Sequence, residues 1–249
     1  MDYKAWDVNA YERHKQLLEQ EDKTFWKVLL PEILKLIRSH ENYSTFSVLD
    51  VGAGSGILSS LLSQEVRKVV GVDPSGISIS IADNYIKEHL DSRIHNVEFK
   101  HSSIEAFNYS EPFDLAISHM ALHAIEHIRV ALTKIYTLLK PDGRFIFSIP
   151  HPKFYALVKP DIFPLDYEYG TESSFAIPFQ ISNSDPLKEK VPYFHRPIEK
   201  YSQYLFEAGF TIEEMHEPHP NQNHYEEGHF RRKWEYPGFL IFLCQKISN

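Results

Sequence analysis

A single cysteine, Cys244, stands among 249 residues, which excludes a framework of intrachain disulfides. It lies in the apolar run Gly238-Phe239-Leu240-Ile241-Phe242-Leu243-Cys244, where a buried, inert thiol is expected. No run of 18 apolar residues occurs, so no membrane-spanning helix is expected. Basic side chains are the scarcer sign: 26 Lys and Arg against 34 Asp and Glu give a net charge of −8. Such a chain has no general attraction to nucleic acid. Glycine (10) and proline (15) are too few for a fibrous or low-complexity chain. The opening Met1-Asp2-Tyr3-Lys4-Ala5-Trp6-Asp7 lacks the basic-then-apolar layout of a secretory leader. The expectation is a cytoplasmic protein without a membrane or nucleic-acid partner.

What is present is a 43% hydrophobic fraction, enough for a packed core, and a regular alternation of elements. Residues 11–38 carry Leu17, Leu18, Phe25, Val28, Leu29, Ile33, Leu36 and Ile37 at helical spacing, with Pro31 suited to open a second helix. Strands are expected at 47–51, 68–72, 97–99, 113–118 and 144–149, with helices between them. Ser75 is placed to cap a helix reaching Leu90. A helix is expected from Leu122 to Leu139, stopped by Pro141-Asp142-Gly143. This alternation means βαβ units and a parallel sheet. At His151 the pattern breaks into a stretch rich in proline and aromatics, read as a cap over the carboxyl edge of the sheet. A helix at 198–208 with Gly209 after it, then strands at 210–215 and 239–246, return to the sheet.

The chemistry is expected in Val48-Leu49-Asp50-Val51-Gly52-Ala53-Gly54-Ser55-Gly56. A strand entering a glycine-rich turn and then a helix presents backbone N–H groups to a ligand. Ile57 stands where a dinucleotide fingerprint needs Gly or Ala, and no Lys-Ser or Lys-Thr follows for a phosphate loop. Asp73, in Val72-Asp73-Pro74, ends the second strand beside that turn, where a carboxylate accepts both hydroxyls of a ribose. Glycine turn and ribose acid without a phosphate motif point to a nucleoside that lacks a diphosphate.

These motifs, with Phe113-Asp114-Leu115-Ala116-Ile117-Ser118 and Leu139-Lys140-Pro141-Asp142-Gly143-Arg144, resemble those of class I S-adenosylmethionine-dependent methyltransferases. The resemblance covers residues 46–150 well and 197–246 more loosely. It implies a doubly wound, mostly parallel seven-stranded α/β sheet of Rossmann-like type, with N-terminal helices and a cap inserted after strand five. The expected division is a helical lid at 1–45, a cofactor core at 46–150, a substrate cap at 151–196 and the rest of the sheet at 197–249. The resemblance implies S-adenosylmethionine as cofactor, S-adenosylhomocysteine as product, and cofactor contacts at Asp50, Gly52, Ala53, Gly54, Gly56, Asp73, Pro74, Ser118 and His119. Ser102 and Ser103 replace the family's common Gly-Asp pair after strand three, which leaves Ser103 and Ile104 for the adenine. Ser118-His119-Met120-Ala121 stands where enzymes acting on base amines carry Asn/Asp-Pro-Pro-Tyr/Phe. That favours a small-molecule acceptor.

An oxygen or nitrogen nucleophile must lose a proton, and histidine is a suitable base. His123 is the first candidate and His195 the second, each against a structural role. Tyr11, His151 and Tyr193 are expected at the substrate pocket. Metal is not expected: His119, His123 and His127 do not share one helix, and His216, His219, His224 and His229 read as a solvated loop. Arg231-Arg232-Lys233 offers a carboxylate partner or a solvated turn. Three other readings stay open: different S-adenosylmethionine chemistry such as cyclisation, a non-catalytic cofactor-binding module, and an NAD-linked oxidoreductase. Monomer and homodimer are both compatible with the sequence.

Overall fold

Strand β1 (Ser47–Val51) is buried along its whole length, so its two faces must both be covered by apolar layers. The computed structural model describes residues 3–89, 96–158, 163, 167–181, 184–230 and 233–247. In it β1 pairs in parallel with β2 (Lys68–Asp73) and β4 (Phe113–His119). β3 (Val97–His101) extends the sheet beyond β2, and β5 (Leu139–Pro150) extends it beyond β4, all parallel. β9 (Phe239–Lys246) lies antiparallel between β5 and β8 (Phe210–His216). The order is β3-β2-β1-β4-β5-β9-β8, the seven-stranded, mostly parallel sheet expected from the sequence.

The two-residue period of the strands sorts the core into two layers. Leu49, Val51, Phe145, Phe147 and Phe242 face α5 (Ile128–Leu138) and α7 (Ile198–Ala208). Val48, Ile117, Ile146 and Leu243 face the other way, onto α2 (Leu30–Arg38) and α3 (Ile57–Ser63). Each fully buried Leu, Ile or Phe removes apolar surface worth about 1.5–3 kcal/mol from water. Cys244 is buried in the first layer.

The N-terminal helices begin earlier than the apolar spacing suggests. α1 runs Lys4–Leu18, and a π-helical turn at Phe25–Leu29 leads directly into α2 with Pro31 in its first turn. α4 (Gly76–His89) opens as expected, with Ser75 Oγ accepting from Ser78 N at 3.0 Å. Leu90, its expected end, lies outside the described residues.

Two expectations are corrected. The helix after β4 does not start at Leu122. A 3-10 turn at Leu122–Ala124 comes first, and α5 begins only at Ile128. Arg196 Nη2 donates to Ile125 O at 2.7 Å and to Glu126 O at 2.9 Å, taking carbonyls that a continuous helix would use internally. Pro141-Asp142-Gly143 is a bulge inside β5, with Asp142 at φ 58°, and not a turn before it.

The cap includes the short helix α6 (Tyr155–Val158) and a separate antiparallel pair, β6 (Ser173–Ile177) with β7 (Val191–His195). After β8 comes α8 (Gln222–Glu226), whose Asn221 and His224 form a reciprocal cap. No helix among the described residues is long and apolar enough to cross a membrane.

Candidate functional site

A cavity of about 270 Å3 opens where the carboxyl ends of β1, β2 and β4 meet α1 and the cap. Open α/β sheets bind ligands at this edge. The turn after β1 is tied to β2: Gly52 N and Ala53 N donate to Val72 O at 2.8 and 3.1 Å. Gly52 has φ 76°, and a Cβ there would come within 2.4 Å of Ala121 Cβ, so only glycine fits. Gly54 has φ 54°, but a Cβ there would meet no protein atom within 4 Å. Gly54 also lines the cavity. The turn is therefore a cradle open on the side where a ligand can touch backbone.

Asp73 closes that end. Its Oδ2 accepts from Gly54 N at 2.9 Å and its Oδ1 from Ser75 N at 2.8 Å. Burial raises the carboxyl's pKa, and these two N–H groups oppose the rise. Each oxygen keeps a lone pair for a ligand hydroxyl. Asp50 lies beneath the turn, fully buried, with Ser59 Oγ donating to it at 2.6 Å. Burial pushes its pKa up to about 7 despite that bond. Pro74, Ser103 and Ile104 complete this end of the cavity. Cradle and carboxylate fit the aminoacyl and ribosyl parts of an S-adenosylmethionine-sized ligand.

α1 roofs the cavity with one face. Tyr3, Trp6, Asn9, Ala10, Arg13 and Leu17 all line it, at steps of three and four. Asp7 Oδ1 ties the helix down by accepting from Ser75 Oγ at 2.6 Å and from Ile77 N at 3.3 Å. Tyr11, expected in the pocket, is 69% exposed. It stands one residue past Ala10, which turns it off the lining face.

Apart from His119, the end away from Asp73 is built from residues that the sequence did not place at the site. Arg13 Nη2 donates to Asp22 Oδ2 at 2.7 Å, and its guanidinium lies 4.9 Å from the Phe179 ring centre. Asp22 Oδ1 accepts from Phe25 N at 3.0 Å. Phe25, Tyr155, Trp234 and Phe239 add aromatic walls. His119, expected among the cofactor contacts, belongs to this end: its ring lies 5.2 Å from Phe25. Its Nδ1 is 2.8 Å from Ser148 Oγ. Burial, aided by the Arg13 guanidinium, lowers its pKa to about 4. Signals for this end were present as residue types, but no local spacing connects positions 13, 22, 119, 155 and 179.

Several expected residues lie elsewhere. His123 is buried in the 3-10 turn against Tyr193, at 5.6 Å between rings, and is not among the cavity-lining residues. Burial, aided by Arg196 and His119, lowers its pKa to about 3. His195 is buried in β7 with Nε2 2.8 Å from Tyr169 O. His151 Nδ1 accepts from Lys153 N and Phe154 N at 3.2 and 3.3 Å, so its Nε2 donates to Glu217 at 2.9 Å. Tyr193 is buried in the cap's own aromatic cluster. Ser118 donates to Val51 O at 3.0 Å inside the sheet. Gly56 packs behind the turn against Phe99 and Ala82. None of these six residues is in the cavity wall. Among the described residues no three His, Cys, Asp or Glu side chains converge as a metal site. Of the basic run, Arg231 and Arg232 lie outside the described residues.

Comparison with known proteins gives a family model, described as a methyltransferase domain, matching residues 18–215. A solved structure from Listeria monocytogenes, assigned to the S-adenosylmethionine-dependent methyltransferases, is 26% identical with a TM-score of 0.69. That match covers 87% of this chain and 97% of the other. An uncharacterized methyltransferase of Bacillus subtilis (strain 168) is 29% identical over 112 residues. A ubiquinone biosynthesis O-methyltransferase of Bradyrhizobium diazoefficiens is 30% identical over 112 residues. Each of these two matches spans 45% of this chain and 43% of the relative, less than half of either. With the family model running through α2 to α7, the glycine turn and most of the sheet, the chain belongs to the class I S-adenosylmethionine-dependent methyltransferases.

Proposed function

We propose that this chain moves a methyl group from S-adenosylmethionine to an oxygen or nitrogen atom of a small molecule. The observation that carries the reading is the Asp73 carboxylate, held by Gly54 N and Ser75 N beside the open face of the glycine turn. When bound, the cofactor supplies an electrophilic methyl on a sulfonium sulfur.

The remaining work falls to the chain's own residues. Gly52, Ala53 and Gly54 present backbone to the aminoacyl part. Asp73 takes the ribose hydroxyls, and Ser103 with Ile104 borders the adenine. Asp50 braces the turn from below and places a carboxyl near the ligand's cationic groups. α1 and the cap exclude water, which strengthens every polar contact inside. Alignment and desolvation are what an in-line displacement asks of a protein. The cavity, roofed by α1 and aromatic at its far end, suits a small acceptor better than a polymer.

Calorimetric titration with S-adenosylmethionine and, separately, NAD tests this. Saturable binding of S-adenosylmethionine, weakened at least tenfold by Asp73→Ala and absent for NAD, is expected. Binding of NAD alone would replace the reading with an oxidoreductase.

A further inference from the structure

His119 looks like a general base by residue type, but its hydrogen bonding says otherwise. Ser148 is fully buried. Its hydroxyl oxygen accepts from Met120 N at 3.1 Å and lies 2.8 Å from His119 Nδ1. A buried hydroxyl proton needs an acceptor, and among the described residues the acceptor within reach is Nδ1. Ser148 therefore donates to Nδ1, and the imidazole's own proton sits on Nε2. Nε2 has no partner among the described residues, and His119 lines the cavity. It presents an N–H to whatever lies there.

The neighbouring polar groups agree. Tyr155 lines the same end, its hydroxyl has no partner among the described residues, and burial pushes its pKa to about 12, so it stays protonated and has a proton to donate. Arg13 is a permanent cation. The carboxylate nearby, Asp22, is ion-paired with Arg13 and accepts from Phe25 N, with one bond on each oxygen. These are the titratable groups of that end: Arg13 on α1, Asp22 before the π-helical turn, His119 at the end of β4 and Tyr155 on α6. Tyr3, Asp50, Asp73 and Glu105 line the glycine-turn end. The walls are the rings of Phe25, Phe179, Trp234 and Phe239.

We propose that the methyl-accepting atom is an acidic oxygen on a planar aromatic molecule, bound as the oxyanion, and that His119 contacts it as a hydrogen-bond donor and not as a base. This rests on the methyltransferase reading above. An oxyanion attacks with a lone pair it already holds. The C–O bond forms as the C–S bond breaks, the C–S electron pair stays on sulfur, the two opposite charges cancel, and no proton has to leave. A neutral amine would need a base for its proton, and the acceptors in this wall are the Asp22 carboxylate, already ion-paired with Arg13, and the weakly basic amide oxygen of Gln180.

The test uses the full chain saturated with S-adenosylhomocysteine, so that no turnover occurs. The probes are 4-nitrophenol, 4-nitrobenzoate and 4-nitroaniline, with binding read by calorimetry. Ionisation of 4-nitrophenol is read by absorbance across pH. The phenolate is expected to bind about tenfold tighter than the neutral phenol, lowering the bound probe's pKa by about one unit. His119→Gln, which keeps an N–H near the Nε2 position, should retain most of that shift. His119→Phe should abolish it, and Tyr155→Phe, which removes one oxygen from a folded ring, should reduce it. If 4-nitrobenzoate binds and 4-nitrophenol does not, the oxyanion is a carboxylate and the proposal stands. Preference for 4-nitroaniline, an unshifted phenol pKa with no carboxylate binding, or failure of every probe while S-adenosylhomocysteine binds overturns it and leaves the methyltransferase reading intact. Failure of S-adenosylhomocysteine itself to bind overturns both.

Discussion

Asn9 of α1 and Glu189 of the cap, 180 positions apart, close a two-bond ring. The Asn9 amide donates to Glu189 O at 2.8 Å, and Glu189 N donates to Asn9 Oδ1 at 3.0 Å. Asn9 thereby copies the pairing edge of a strand residue and is almost fully buried. Together with the Asp7 tie to Ser75, the ring holds the roof of the cavity between the sheet edge and the cap.

Asn9→Ala strips both bonds and leaves the Glu189 backbone unmatched. A loss of about 1–3 kcal/mol of stability is expected, the cost of orphaning part-buried polar groups. Urea unfolding checks it, and faster proteolytic nicking of α1 should accompany the loss.

Gly52→Ala and Gly54→Ala should part company. The first drives a Cβ to 2.4 Å from Ala121, so the fold itself should weaken by more than the ~1–2 kcal/mol of left-handed strain. The second meets no protein atom, so only that strain applies, while its methyl enters the ligand's space. Thermal melting should rank Gly52→Ala as the less stable protein. Calorimetry should show Gly54→Ala folded but with S-adenosylmethionine affinity reduced at least tenfold.

His123 is neutral and buried, with its pKa lowered from 6.5 to about 3. The unfolded chain binds the proton first as pH falls, so stability is lost as pH drops from 6.5 toward 3. His123→Phe removes that contribution and should flatten the stability profile over this window in urea melts at stepped pH. Because the ring lies outside the cavity wall, S-adenosylmethionine affinity at pH 7.5 should change less than threefold. A base acting on substrate from this position would instead lose turnover in the same variant.

Arg196 holds the break between the 3-10 turn and α5 through the Ile125 and Glu126 carbonyls. Hydrogen bonds from a charged donor contribute about 1.5–3 kcal/mol, and these are part-buried. Arg196→Met should lower stability by that order. The amides of residues 125–130 should exchange faster with deuterium, because the kink they cap is no longer pinned.

Local chemistry made half of the site legible. Gly52, Gly54 and Asp73 fall within 22 residues in one βαβ unit, so strand period, turn residues and spacing point to the same place. The same holds for the alternation of Val48, Leu49, Asp50 and Val51 between two buried layers. Tyr11 was missed by a single residue because α1 carries aromatic and charged side chains on both faces. Only the contact with the sheet edge and cap selects Trp6, Ala10 and Arg13 as its inner face.

The histidines mark the boundary most clearly. Residue type offers His123, His151 and His195 as equals of His119. Packing decides otherwise: Tyr193, Glu217 and the Tyr169 carbonyl occupy the first three, while Ser148 orients the fourth toward the cavity. By itself the sequence determined the sheet, its order of elements and the glycine turn, because those follow from periodicity and hydrogen bonding among near neighbours. The far end of the cavity was decided only in three dimensions. Arg13, Asp22, His119, Tyr155 and Phe179 meet there through burial of distant segments, and no local spacing along the chain records that meeting.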